Sequence, residues 1–312
     1  MPSVAIETQG CKLNQADSMK LASQFQAAGF SMVNINSKCD VYVLNTCTVT
    51  HVADRKARHA VRLAKRKNPD AALVVTGCYV ERDREVIENM DEVDLALGNA
   101  TKEQIVRTIA EAFPSLIPPE GELLDYQIPD KTNRNRAMLK IQEGCNQICS
   151  YCIVPRVRGR ERSITVSSLV ESVERFVAEG FSEVVLTGTQ LGSYGFDLNG
   201  ISLAEMISEI LTKTAIPRLR VSSLQAQELS PELLGLWRDE RLCPHFHVPL
   251  QSGNDFILHK MRRRYDSFSY QQSIERIRKF IPGAGITTDV IIGYPGESER
   301  AYADTKELVK SI

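Results

Sequence analysis

The sequence predicts an α/β fold with two parts: an N-terminal doubly wound parallel-sheet domain, followed by a partial (β/α) barrel. Three observations lead there. Short β-branched apolar runs alternate with stretches of helical periodicity along most of the chain. A proline-rich interval (Pro114, Pro118, Pro119, Pro129) with no helical period separates two such series. The second series holds strand signals at residues 138–142, 184–186, 219–221, 246–250 and 287–292, fewer than the eight of a closed parallel barrel.

In the first series, residues 4–6, 41–44, 72–75 and 93–97 read as strands. Helical stretches are expected at 14–29, 47–67, 82–90 and 102–113, the first ending at Gly29, a residue suited to a left-handed cap. In the second series, helices are expected at 168–179 and 203–212. The expected domains are residues 1–115 and 134–312, joined by a linker at 116–133. The chain stops at Ile312 inside a helical pattern, so the second domain reads as truncated at its C-terminus.

At 312 residues, 43% hydrophobic and 25% charged, the chain is long enough for two cores. No apolar run approaches the ~20 residues that span a bilayer, and residues 1–7 lack the basic and apolar regions of a signal peptide. A cytoplasmic monomer without a membrane partner is expected. In that compartment eight cysteines point to metal or redox chemistry rather than disulfides. A net charge of −1 excludes a uniformly basic nucleic-acid binder. Basic residues nevertheless cluster at Arg55–Lys67, at Lys131/Arg134/Arg136, at Arg156/Arg158/Arg160/Arg162 and at Lys260/Arg262/Arg263/Arg264. Such clusters suit RNA phosphates, or are solvated faces paired with nearby acids.

Cys145, Cys149 and Cys152 form a C-x-x-x-C-x-x-C loop just after the strand expected to end at Gln142. Thiolates are the usual ligands of iron–sulfur clusters, and three of them leave one iron of a cubane open. Structural zinc wants a fourth protein ligand, and the next downstream candidates, Cys243, His245 and His247, are distant in sequence. The loop resembles the signature of the radical S-adenosylmethionine superfamily. That resemblance implies a 4Fe–4S cluster whose open iron is chelated by S-adenosylmethionine, with one-electron cleavage to methionine and a 5′-deoxyadenosyl radical. It also implies that Tyr151 packs near the adenine.

Cys11, Cys47 and Cys78 are far apart in sequence, but each follows an expected parallel strand. The carboxyl ends of such strands share one sheet edge. Gly10 and Gly77 precede two of them and permit close backbone approach, and Cys47 is expected at a helix start, where the dipole favours a thiolate. Three unrelated small core residues is the alternative reading; Cys39 and Cys243 read as packing residues.

The segments Gln9-Gly-Cys11-Lys-Leu-Asn14, Asn45-Thr-Cys47-Thr-Val-Thr50 and Thr76-Gly-Cys78-Tyr79 resemble the cysteine motifs of the methylthiotransferase family. So do Ile141–Cys145, Arg158-Gly-Arg160, Leu186–Gln190, His247–Gly253 and Gly293–Glu297. The resemblance runs the length of the chain. It implies that Cys11, Cys47 and Cys78 bind a second 4Fe–4S cluster, that a C–H bond is replaced by C–S–CH3, and that a flavodoxin- or ferredoxin-type protein donates electrons. It further implies that Gly188, Gln190, Ser223, Gln251, Gly293 and Gly296 line the S-adenosylmethionine pocket, although glycines and polar residues at these strand ends also serve as turns and caps.

The surroundings of Cys47 look most like the branch that modifies C2 of N6-threonylcarbamoyladenosine beside the tRNA anticodon. In a helix, Arg55, Arg58, Arg62 and Arg66 share one face, which suits a phosphate backbone or a solvated surface. The run Arg156–Arg162 suits RNA or the cofactor carboxylate. Family members normally complete the barrel and add a C-terminal RNA-binding β-barrel, so weak tRNA binding is expected of this polypeptide alone. Two alternatives stand beside the tRNA reading: another adenosine derivative or a ribosomal-protein side chain as substrate, and a redox-sensing iron–sulfur RNA-binding protein without catalysis.

Overall fold

The computed structural model describes residues 1–116 and 135–312. Most of the expected linker, with Pro118, Pro119, Pro129, Lys131 and Arg134, lies outside the described residues; Pro114–Leu116 forms a 3-10 turn. Residues 1–116 together with Arg156–Arg158 belong to one compact unit, and Asn135–Pro155 with Gly159–Ile312 to another.

The first unit holds β1 (Ser3–Thr8), α1 (Lys12–Ala27), β2 (Ser31–Met32), β3 (Val41–Thr46), α2 (His51–Lys67), β4 (Ala72–Gly77), α3 (Cys78–Arg82), α4 (Arg84–Glu88), β5 (Leu95–Leu97) and α5 (Ile105–Ala112). Its sheet runs β2-β1-β3-β4-β5, parallel throughout. Every residue of β3 and β4 is buried, as a strand covered by helices on both faces requires. Alternation splits them between two cores. Tyr42, Leu44, Leu73 and Val75 pack against Ala57, Val61 and Ala64 of α2. Val41, Val43 and Val74 pack against Leu21 and Phe25 of α1 and Ile105 and Ile109 of α5. The chain leaves β1 for the edge strand β2 and returns to β3 on the other side. The point where the order reverses lies between β1 and β3, and crevices at such points bind ligands at the strand carboxyl ends.

The second unit holds β6 (Arg136–Lys140), β7 (Gln142–Glu143), α6 (Val154–Arg158, whose last three residues belong to the first unit), β8 (Arg162–Ser163), α7 (Val166–Ala178), β9 (Glu183–Thr187), α8 (Leu203–Lys213), β10 (Leu219–Val221), α9 (Pro231–Gly235), β11 (His245–His247), α10 (Asp255–Lys260), α11 (Ser267–Phe280), β12 (Gly285–Thr287) and α12 (Glu299–Ser311). β6, β9 and β10 pair in parallel, as do β11 and β12. Parallel bridges Leu219↔Leu242 and Ser223↔His247 carry the order on from β10 to β11, so five parallel strands follow one another as in part of a (β/α) barrel. The antiparallel pair β7–β8 closes the base of the cysteine loop.

Several expected boundaries move. The helix expected from residue 47 begins at His51, because Thr50 caps it: its hydroxyl accepts from the Ala53 amide at 3.2 Å. The helix expected at 82–90 is two short ones meeting at Asp83. The strand expected at 246–250 ends at His247, ahead of Pro249, which has no N–H for a ladder. Its partner, expected at 287–292, sits at Gly285–Thr287, with a single further bridge from Gln251 to Val290.

Candidate functional site

In the second unit, the loop carrying Cys145, Cys149 and Cys152 is held at its base by Gln142, which is fully buried. Gln142 Nε2 donates to the Gly144 carbonyl at 2.9 Å, and its Oε1 accepts from the Thr189 amide at 3.1 Å and the Gln190 amide at 3.0 Å. The Thr189 hydroxyl also donates to the Gly144 carbonyl. The turn after β9 therefore grips the start of the cysteine loop. Further along, the Asn146 amide donates to Glu161 Oε1 at 2.9 Å and the Cys152 amide to the Cys149 carbonyl at 3.1 Å. The Ser150 hydroxyl donates to the Lys260 carbonyl at 2.9 Å and lies 2.7 Å from the Tyr294 hydroxyl, tying the loop to the segment between Gly293 and Gly296.

The three thiols are close enough to influence one another. Burial, joined by the charges of Glu161, Cys152 and Cys149 and opposed by the Gln147 amide, pushes the Cys145 thiol up to about 11. Burial also raises Cys152. Arg263 donates from Nη1 to Cys149 Sγ at 3.4 Å and from Nη2 to Gln225 Oε1 at 3.0 Å. Among the described residues, no three His, Cys, Asp or Glu side chains are close enough to hold a single metal ion. An iron–sulfur cubane takes thiolate ligands. An all-thiol donor set beside a cationic hydrogen-bond donor fits that group.

The expected pocket residues fall into two sets. Gln190 is buried; its Nε2 donates to Glu228 and its Oε1 accepts from Gln225, which in turn donates to Gln147 Oε1 at 3.2 Å inside the cysteine loop. Gly188 leaves no room for a side chain: a Cβ would stand 2.9 Å from the Gln142 carbonyl oxygen. Tyr151 is raised to about 12, chiefly by burial, with Arg263 pulling the other way. Gly293 and Gly296 have φ of 75° and 91°. These residues surround the loop. Ser223 is exposed and bridges to His247 in the sheet, while Gln251, at φ 66°, bridges to Val290; their pairing runs along the strand ends. Gln142, Gln225, Glu228 and Arg263 are site residues that no motif in the sequence singles out. The available signal was position: Gln225 and Glu228 follow the third strand of the series, as Gln190 follows the second.

In the first unit, Cys11 is the N-cap of α1, Cys47 directly follows β3, and Cys78 opens α3. Burial raises the Cys47 thiol, and the Cys11 and Cys78 thiols add to the rise, so the three strand ends bring these sulfurs together. Fully buried Asn14 ties the loops: its Nδ2 donates to the Gln9 carbonyl at 2.7 Å and the Thr46 carbonyl at 2.9 Å. The helix-start expectation for Cys47 is corrected. Its helix begins four residues later, and Cys11 and Cys78 hold the helix-start positions instead. Cys39 packs half-buried against the α2-side core, and Cys243 is buried, with Arg218 Nη2 at 3.5 Å from its sulfur.

The basic segments also need correction. Arg55, Arg62 and Arg66 are exposed, Arg62 lying 3.9 Å from Glu92, whereas half-buried Arg58 donates to the Tyr79 hydroxyl at 2.5 Å. An open groove of about 470 Å³ is lined by Glu7, Gln9, Arg55, Lys56 and His59, so Lys56 joins Arg55 on the basic side of that groove. Arg158, in the run expected to meet RNA or the cofactor carboxylate, is buried within the first unit. Among the described residues, no helix is long and apolar enough to cross a membrane.

Residues 3–98 match a family described as Uncharacterized protein family UPF0004, and residues 139–309 match the Radical SAM superfamily. The chain is 39% identical, over 318 residues, to the threonylcarbamoyladenosine tRNA methylthiotransferase MtaB of Aquifex aeolicus (strain VF5), covering 99% of this chain and 77% of that protein. It is 33% identical, over 324 residues, to the tRNA-2-methylthio-N(6)-dimethylallyladenosine synthase of Clostridium novyi (strain NT), covering 98% and 71%. A solved radical S-adenosylmethionine methyltransferase, TsrM from Kitasatospora setae with cobalamin and a 4Fe–4S cluster bound, aligns with a TM-score of 0.71 at 14% identity, over 99% of this chain and 73% of that one. At that identity the likeness concerns the fold alone.

Proposed function

Because the chain belongs to the radical S-adenosylmethionine methylthiotransferases, we propose that it adds a methylthio group to C2 of N6-threonylcarbamoyladenosine in tRNA. The observation that carries this reading is the pair of three-thiol sets, each gathered at parallel-strand ends in its own unit. The identities of 39% and 36% to two MtaB proteins, above the 33% to the dimethylallyladenosine synthase, support the choice of nucleoside. The proposed domains are residues 1–115 and 134–312, acting in the cytoplasm with a flavodoxin- or ferredoxin-type electron donor.

In this reading Cys145, Cys149 and Cys152 hold the cluster that binds S-adenosylmethionine, and Cys11, Cys47 and Cys78 hold the second. Bound, these groups supply the radical and sulfur chemistry that converts an unactivated C–H into C–S–CH3, which acid–base side chains cannot. The protein's part is placement. Gln142 and Thr189 fix the entry of the cysteine loop, Ser150 and Tyr294 fix its middle, and Arg263 orients Cys149. Tyr151, Gly188, Gln190, Gly293 and Gly296, with Ser223 and Gln251 farther along the strand ends, line the S-adenosylmethionine pocket. Arg55, Lys56, His59, Arg62 and Arg66 meet the tRNA backbone, while Arg58, held on the Tyr79 hydroxyl, supports that face from beside it.

Nucleoside mass spectrometry of tRNA from a deletion strain tests the proposal. The 2-methylthio derivative of N6-threonylcarbamoyladenosine should disappear, and return with the wild-type gene but not with Cys78→Ala. Its persistence, with loss of the methylthio group from a different adenosine, would assign the other substrate.

A further inference from the structure

Arg158 lies six residues after Cys152 in sequence, yet its side chain is 2% exposed and packed in the first unit. Its Nε donates to Cys78 Sγ at 3.3 Å, and its Nη1 donates to Asp17 Oδ2 at 2.8 Å. Nη2 donates to Asn14 Oδ1. Asp17 also accepts from Lys102 Nζ at 2.9 Å, and both of those side chains are nearly sealed from water. Asn14 is the residue that ties the Gln9 and Thr46 carbonyls, next to Cys11 and Cys47. One guanidinium therefore reaches a cysteine sulfur directly and the other two cysteine segments through a single asparagine. A planar fork with donors on three nitrogens can make these bonds at once; a lysine cannot.

We propose that Arg158 is a positioning residue for the second cluster, anchoring the Cys78 sulfur and raising the cluster's reduction potential through that hydrogen bond. This rests on the reading of Cys11, Cys47 and Cys78 as cluster ligands. The physical basis is that hydrogen bonds and positive charge at the sulfurs favour the reduced state, which carries one more electron. Ligand orientation depends on such outer contacts, whose loss typically costs 10–100-fold in metal affinity.

The test uses the full chain carrying Cys145→Ala, Cys149→Ala and Cys152→Ala, so that only the second cluster remains. It is reconstituted anaerobically with iron and sulfide, then titrated with dithionite and mediators, which add one electron to the cluster. Iron content and the EPR-monitored midpoint potential are compared for Arg158, Arg158→Met and Arg158→Lys. Asp17 keeps Lys102 as a partner in both variants, and circular dichroism checks the fold. The expected result is a more negative midpoint and faster iron loss in Arg158→Met, with Arg158→Lys in between. A midpoint and iron retention equal to those of the parent in both variants would overturn the proposal. No iron in the parent that retains Arg158 would instead overturn the cluster assignment beneath it.

Discussion

Gly10 has φ 103°, and a Cβ there would stand 2.6 Å from Cys47 Cβ and 2.9 Å from its Sγ. Gly10→Ala adds both a left-handed strain of about 1–3 kcal/mol and a collision with Cys47, a proposed cluster ligand. Urea unfolding should show a loss of at least that size, together with loss of iron from the second cluster alone. Glu228 behaves differently. Burial raises it from 4.5 to about 7, against backbone hydrogen bonds from Gln225 and Gly192 and the charge of Arg263. Between those two values the unfolded chain has released the proton while the folded one keeps it. Stability therefore falls as pH rises from about 4.5 to about 7, and is level above. Glu228→Gln should flatten that slope in thermal melts taken across the window. The positions of the six cysteines just beyond strands were legible because apolar runs precede each cysteine set. Arg158 and Arg263 were not: each sits in a run of arginines whose pattern looks like a solvated face, and only burial separates one member from its neighbours.

At the scale of elements, α2 links stability to the proposed substrate. Thr50 supplies its cap, so Thr50→Ala should cost about 1 kcal/mol, readable as a shift in denaturation midpoint with unchanged slope. Its exposed cationic side should act on binding instead. Arg55→Ala with Lys56→Ala should weaken tRNA binding about equally across sequences, and lower the magnitude of the salt slope by roughly 2. An unchanged slope would move the RNA contact elsewhere. The strand–helix alternation was readable from apolar runs, and the β10 strand from 219 to 221 fell where expected. The ends were less readable. The start of α2 depends on which of Thr48 and Thr50 caps the helix; Thr48 instead donates to buried Asp54 at 2.6 Å, a partner choice set by packing.

For the whole molecule, the account requires that each compact unit carry its own iron–sulfur site. Alternating βα units and the proline-rich interval made two parallel-sheet units readable in advance. The first unit's strand order was not, since an edge excursion such as β2, only two residues long, leaves almost no trace in an apolar pattern. That order nevertheless puts Cys11 and Cys47 just past the strand ends flanking the reversal point, with Cys78 just past the end of the next strand. The most direct test counts iron per chain after anaerobic reconstitution, for the wild type and for Cys145→Ala/Cys149→Ala/Cys152→Ala. Two independent 4Fe–4S sites predict about eight irons falling to about four. About four falling to none would leave a single cluster and contradict the account.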